Sequence, residues 1–384
     1  MILVGMVLVG MVLVGIGRHD GRMTKPKIEQ LITQEPRVPK VYGVPKIHKL
    51  GVPLRPIVDN TGSVMHKMGK LLNDILRPIA EKSETVLKNT AHFIEEIRDV
   101  TIGYDESMGS FDVVQLFPSV TKEMALDAIK RALDNDAEWT KRTTLTKREI
   151  VICCAMCLSA SEMVYNGKLY LQKKGLPMGG TLSPIAAELV MQYIEEQFFE
   201  DCRLLGMVPK FWKRLVDDVI VIGKTKNFPH WLNMCNAIEQ NISFTMEFEK
   251  DRCLPFLDVH IEYDLNNQLH TTVYLKPMAT DRVLPYSSSH CMTQKLGVLK
   301  NLIHRAHVVC SSENLLNTEI NRLKGAFQEG GYPKHVVNRC LRQMTLKFNA
   351  VQNNVTVQND CETRELDVQC QTNRCGVTYH PSFF

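Results

Sequence analysis

Apolar and polar positions change period repeatedly along this chain, and each change marks an element. Residues 68–82 (MGKLLNDILRPIAEK) and 89–100 (NTAHFIEEIRDV) space their apolar side chains as helices do. Residues 107–121 (SMGSFDVVQLFPSVT) read as a strand that ends at Pro118, since proline cannot donate to a ladder. Thr121 is placed to cap the helix that follows, KEMALDAIKRALD. A further helix is predicted over 145–158. A hairpin follows in EMVYNGKLYLQ, signalled by Asn166-Gly167. After a glycine-rich loop, Ser183 as cap and Pro184 in the first turn announce a long helix. KRLVDDVIVIG, residues 213–223, reads as strand, tight turn and strand. It is followed by a helix near 230–240 and strands near 243–249 and 256–263. Apolar positions 296, 299, 302, 303, 306 and 309 predict one more helix.

Two stretches lack such a period. Residues 37–60 are rich in Pro, Gly and basic residues, which favours short extended pieces and turns. From about residue 348 the chain turns polar and rich in Asn, Gln and Thr, the composition of a linker or disordered tail. Residues 1–17, MILVGMVLVGMVLVGIG, repeat every five residues and carry no charge. They lack the basic start of a signal peptide and reach only the lower limit for spanning a bilayer. They are therefore set apart from the fold as a low-complexity repeat, and no membrane attachment is expected.

The length of 384 residues suggests two or three domains or subdomains. A hydrophobic content of 44% and a charged content of 23% are those of a globular protein. Twelve cysteines without a regular framework read as reduced thiols of an intracellular protein, nuclear or cytoplasmic. The net charge of +4 hides an uneven distribution. Residues 37–82 and 293–348 each hold nine Lys/Arg against three Asp/Glu, while 83–292 hold 22 basic and 29 acidic residues. Basic flanks can neutralise phosphates and an acidic centre can hold cations.

Asp217 and Asp218 stand side by side at the tip of the 213–223 hairpin. They make either a polar turn or a cation site. Asp112 lies on a predicted strand between apolar neighbours, and a carboxylate buried there is costly unless it is paired or binds a cation. If the two strands are neighbours in one sheet, three carboxylates converge. That all-oxygen donor set suits Mg²⁺. Two such ions about 3.5–4 Å apart can stabilise the attacking and leaving oxygens of a phosphoryl transfer. Other clusters are weaker. Cys153, Cys154 and Cys157 lie in an apolar helical run and read as core. Cys361, Cys370, Cys375 and His380 lack a standard zinc spacing.

The ordered set of segments resembles the reverse transcriptases of Penelope-like retroelements. YGVPKIHK with VPLRPIV resembles that family's fingers. FDVVQLFPSV resembles polymerase motif A, GLPMGGTLSP motif B and RLVDDVIVI motif C. LPFLDVHI, VYLKPMATDRVLPYSSSH and KLGVLKNLIHRAHVVC resemble the segments between palm and thumb. The resemblance covers residues 37–345. It implies an α/β (α+β) right-hand polymerase: fingers over 37–98 after a lead-in at 18–36, then an antiparallel-sheet palm with remaining fingers elements over 99–265. Connection and thumb follow over 266–348, and the polar tail over 349–384.

The resemblance also implies roles. Asp112, Asp217 and Asp218 would be the catalytic, metal-binding carboxylates, with the Val113 carbonyl as a further ligand. The cofactor would be two Mg²⁺ ions, or Mn²⁺. Phe117 would exclude a ribose 2′-hydroxyl. Pro177, Met178, Gly179 and Gly180, with Gly175, would form the loop against template and nucleotide. Met178 stands where many reverse transcriptases carry Gln, and Gly180-Thr181 departs from the more usual GSPLSP. Lys46, Arg55 and Lys49 would face the triphosphate, Lys250 would stand where some polymerases place a proton-donating lysine, and LPFLDV would be a primer-grip turn. The implied partners are an RNA template, a DNA primer and deoxynucleoside triphosphates. Two other readings stay open: a silent copy that only binds nucleic acid, and a telomerase-like enzyme. Residues 349–384 hold no GIY-YIG nuclease motif; two explanations stay open, dependence on an existing 3′ end or a separate nuclease, and an incomplete gene model.

Overall fold

The structure is a computed structural model that describes residues 29–47, 51–277 and 280–350. The repeat at 1–17, part of the lead-in, Lys49 and the tail cysteines with His380 lie outside the described residues. Among the described residues, no helix is long and apolar enough to cross a membrane. The chain forms two compact units that divide between Leu269 and His270.

In the first unit, strands β1 (Lys40–Pro45) and β2 (Leu54–Asp59) pair antiparallel, with Lys40 opposite Asp59. Helix α1 (His66–Ala80) buries Met68, Leu72, Ile75, Leu76 and Ile79, the stripe expected of its spacing. Pro78 is accommodated in its last turn. Helix α2 (Thr90–Ile97) is capped by Asn89, which accepts from the His92 N–H.

Strand β3 (Glu106–Val113) ends five residues before Pro118, earlier than the sequence pattern suggests. Gln115 adopts a left-handed conformation (φ 53°) and turns the chain into a single helical turn, α3 (Leu116–Ser119). Pro118 therefore sits inside a turn of helix. Thr121 caps helix α4 (Lys122–Asn135) as anticipated. Helix α5 (Lys147–Ser159) opens with a capping box from Thr146 and Glu149. Its Cys153 and Cys154 are buried, and desolvation pushes the Cys153 thiol up to about 11.

Strands β4 (Glu162–Tyr165) and β5 (Lys168–Leu171) form the expected hairpin, with positive φ at both Asn166 and Gly167. They extend the first sheet to the order β2-β1-β4-β5. Helix α6 (Ser183–Leu205) is capped one residue earlier than predicted: Leu182 takes the cap position, and Ser183 is buried in the first turn.

Strand β6 (Phe211–Leu215), strand β7 (Asp218–Lys224), helix α7 (Phe228–Ile238) and strand β8 (Phe244–Phe248) follow. The strands join β3 in an antiparallel sheet of order β6-β7-β3-β8. Val219 to Gly223 are buried without interruption, so β7 is covered on both faces. Phe111 and Val113 of β3 and Val219 and Val221 of β7 share one core with α1, α4, α5, α6 and α7. The single strand expected at 256–263 is instead a hairpin, β9 (Cys253–Phe256) and β10 (Val259–Tyr263). Leu257 enters the left-handed region (φ 56°) and breaks the strand in two.

The second unit holds most of β11 (Leu269–Val273), helix α8 (Met292–Val309), helix α9 (Glu313–Glu329), and a helix at 334–350. Leu299, Ile303, Ala306, Leu323, Phe327, Tyr332 and Val337 form its core. Buried Lys295 donates to the carbonyls of Tyr286 and Ser288 and ties the chain before α8 to that helix. Ser312 caps α9.

Candidate active site

Antiparallel pairing of β3 with β7 sets Asp112 opposite Asp218 in the register. A two-residue turn, Val216-Asp217, joins β6 to β7, so Asp217 follows within one step of the same sheet end. The Val113 N–H donates to the Asp217 carbonyl at 3.3 Å and draws that turn against the end of β3. Directly opposed residues of an antiparallel pair hold their Cβ atoms about 4.5–5.5 Å apart, and like charges so placed repel. A cation shared between them removes that cost.

Asp112 is exposed, which corrects the expectation of a buried carboxylate. The pleat explains the difference: Phe111 and Val113 point into the core, and the residue between them must point away. Asp218 is also exposed and Asp217 half-buried. Thr245 of β8 stands opposite Asp112 on the other side, and its Oγ1 donates to the Asp112 carbonyl at 3.3 Å.

The glycine-rich loop at 175–182 docks on two other elements. Its Leu176 N–H donates to the Phe117 carbonyl of α3 at 2.7 Å, and its Met178 carbonyl accepts from the Val58 N–H of β2 at 2.7 Å. Pro177 and Gly180 close a turn between these contacts, with the Gly180 N–H on the Pro177 carbonyl at 3.0 Å. Gly179 has φ 100°, and a Cβ there would lie 2.2 Å from the Val58 carbonyl oxygen. Gly175 likewise leaves no room against Pro118. The loop thus needs glycine where the backbone of β2 and of α3 approaches. Phe117 is half-buried against the core while its carbonyl holds the loop.

Lys46 and Arg55 lie on the other sheet, in and beside the β1–β2 hairpin. Arg55 is exposed, and the Lys46 N–H donates to Pro53. Their link to the site runs through the Val58–Met178 bond. Lys250 occupies the turn between β8 and β9, where its backbone exchanges two hydrogen bonds with Cys253. In the LPFLDV segment, Phe256 packs edge-on against Phe93 at 5.0 Å, and Asp258 accepts from Thr90 Oγ1 at 2.7 Å.

Sequence reasoning missed the support beneath the aspartate turn. Val216 adopts φ 61°, a costly conformation for a β-branched residue. Arg214, with no exposed side-chain area, donates from Nη1 to the Val216 carbonyl at 3.0 Å. Its other contacts are carboxylates: Nε and Nη2 reach Glu195 at 2.9 and 3.1 Å, and Nη2 and Nη1 reach Glu188 at 2.7 and 3.1 Å. Glu195 also accepts from Trp212 Nε1 and Thr85 Oγ1. Burial alone would drive the guanidinium toward neutrality, but the two carboxylates outweigh it and raise its pKa. Glu188 and Glu195 stand seven apart, two turns along an otherwise apolar stripe of α6, which is the one signal the sequence holds.

Residues 282–342, in the second unit, match the family described as the animal helix-turn-helix domain. No curated protein matches the chain in sequence. Among solved structures, a telomerase from Candida albicans, in complex with a fragment of telomeric RNA, is similar with a TM-score of 0.53 at 11% identity. That likeness covers 80% of this chain and 57% of the telomerase. A telomerase from Candida tropicalis in a complex of the same kind gives 0.50 at 14% identity, covering 80% and 55%. The chain therefore spans little more than half the length of these telomerases. At such identity the likeness is one of fold, and the fold is that of a right-hand polymerase.

Proposed function

We propose that this protein is an RNA-directed DNA polymerase of the Penelope-like retroelement kind. The reading is carried by one observation, the register that sets Asp112 opposite Asp218 with Asp217 in the adjoining turn. The donor set fits hard divalent cations. It is all oxygen, three carboxylates with the Val113 carbonyl beside them, and exposed Asp112 and Asp218 leave it open to dissolved ions. Asp112, Asp217, Asp218 and the Val113 carbonyl would hold two Mg²⁺ ions, which supply charge stabilisation for the oxygens of a phosphoryl transfer.

In this reading a primer 3′-hydroxyl attacks the α-phosphate of a deoxynucleoside triphosphate and pyrophosphate leaves. The chain's own residues position the reactants. The 175–182 loop carries Pro177, Met178, Gly179 and Gly180 against nucleotide and template. Phe117, next to it, leaves no room for a 2′-hydroxyl. Arg55 and Lys46 on the β1–β2 hairpin offer charge to the triphosphate, Arg as a fork and Lys as a point charge. The basic residues of 37–82 and 293–348 neutralise the backbones of template and primer.

The test is extension of a DNA primer on an RNA template, with deoxynucleotides and ribonucleotides supplied in parallel. Incorporation of deoxynucleotides is the expected result. Incorporation of ribonucleotides alone would overturn the reading.

A further inference from the structure

The β9–β10 hairpin divides its side chains cleanly between two faces. Leu254, Phe256, Val259 and Ile261 are buried on one. Cys253, His260 and Glu262, all half-buried, share the other. The register explains why they meet: Glu262 lies directly across from Cys253, and His260 is two residues along the same strand as Glu262. The thiol, an imidazole nitrogen and a carboxylate oxygen all lie within 4.8 Å of one another. Among the described residues, neither the His260 ring nor the Glu262 carboxylate has a hydrogen bond or ion pair. The Cys253 thiol has only a long contact, 3.5 Å, to the Asp251 carbonyl.

We propose that Cys253, His260 and Glu262 form a binding site for a zinc-class divalent cation, separate from the three aspartates. The donors select the ion. Sulfur and nitrogen suit zinc-class metals, whereas Mg²⁺ demands oxygen. Donors around a tetrahedral zinc stand about 3.5 Å apart, so small side-chain rotations close the present triangle. Three protein ligands leave a fourth position for water. The ion would bridge β9 to β10 from the open end of the hairpin, opposite the turn where Leu257 holds its left-handed conformation and Asp258 binds Thr90. The proposal does not depend on polymerase activity.

The test is titration of the chelator-stripped, reduced full-length protein with Co²⁺. One equivalent should give the visible bands of a tetrahedral site and a thiolate-to-cobalt charge-transfer band, both abolished by Zn²⁺. Cys253→Ser should remove the charge-transfer band and weaken binding by at least about 100-fold, since even outer partners of metal ligands can cost that much. His260→Gln should keep the charge-transfer band, with weaker binding. Zn²⁺ should raise the melting temperature of the parent and leave that of Cys253→Ser unchanged, and equal melting of both apo-proteins separates metal loss from misfolding. A band that survives Cys253→Ser but vanishes in Cys370→Ser would overturn the proposal, as would a parent that gives no band.

Discussion

Buried Glu195 and half-buried Glu188 pair with Arg214, while Asp112 and Asp218 lie exposed at the end of the same sheet that carries Arg214. Both groups concentrate negative charge, and the two are joined by three residues of chain, Leu215 to Asp217, and one hydrogen bond, from Arg214 to the Val216 carbonyl. Inside, the carboxylates and the guanidinium satisfy one another, and their work is to hold backbone. At the rim, the carboxylates face water, where a dissolved cation can reach them. The difference separates carboxylates that build the turn from those that use it. A strained Val216 persists because its surroundings over-determine it.

Removing one partner of the inner group should have the largest effect. Arg214→Met leaves buried Glu195 and half-buried Glu188 without their cation and should cost about 3–5 kcal/mol in urea unfolding. Adding Glu188→Gln and Glu195→Gln should recover much of that loss, and a triple variant as unstable as the single would break the comparison. The outer group should behave in the opposite way. Asp112→Asn should lower primer extension by about 10²–10³-fold, the scale set by losing one electrostatic stabiliser of a transition state. Its unfolding midpoint should stay near that of the parent, as for other exposed positions.

Gly179→Ala tests the link between the loop and β2. A Cβ 2.2 Å from the Val58 carbonyl, at φ 100°, should destabilise the protein by about 1–3 kcal/mol and lower extension together with it. Phe117→Ala should have the smallest effect, raising the ratio of ribonucleotide to deoxynucleotide incorporation by about tenfold. An unchanged ratio would leave Phe117 as a packing residue of the core.

What could be read in the sequence was local. The cap at Thr121, the Asn166-Gly167 turn and the strand that carries Asp112 depend on neighbours a few residues away. The breaks at Gln115 and Leu257 were not legible, because both take positive φ without being Gly, Asn or Asp, the residues that announce such a conformation. Those misreadings moved the end of β3 and merged β9 with β10. The Arg214 cluster was hidden because it joins α6 to β6 and to Thr85, far apart in sequence. The Cys253, His260 and Glu262 group was hidden for a related reason: its spacing matches no zinc motif, and only the hairpin register brings the donors together.

The most direct test is a Mg²⁺ titration of primer extension on an RNA template, comparing the parent with Asp217→Asn. The account predicts that the parent extends the primer with deoxynucleotides only when Mg²⁺ is present, and that Asp217→Asn binds primer–template as the parent does but does not extend. Extension by Asp217→Asn at the parent's rate, or by the parent in excess chelator, would contradict the assignment of these aspartates as a metal site.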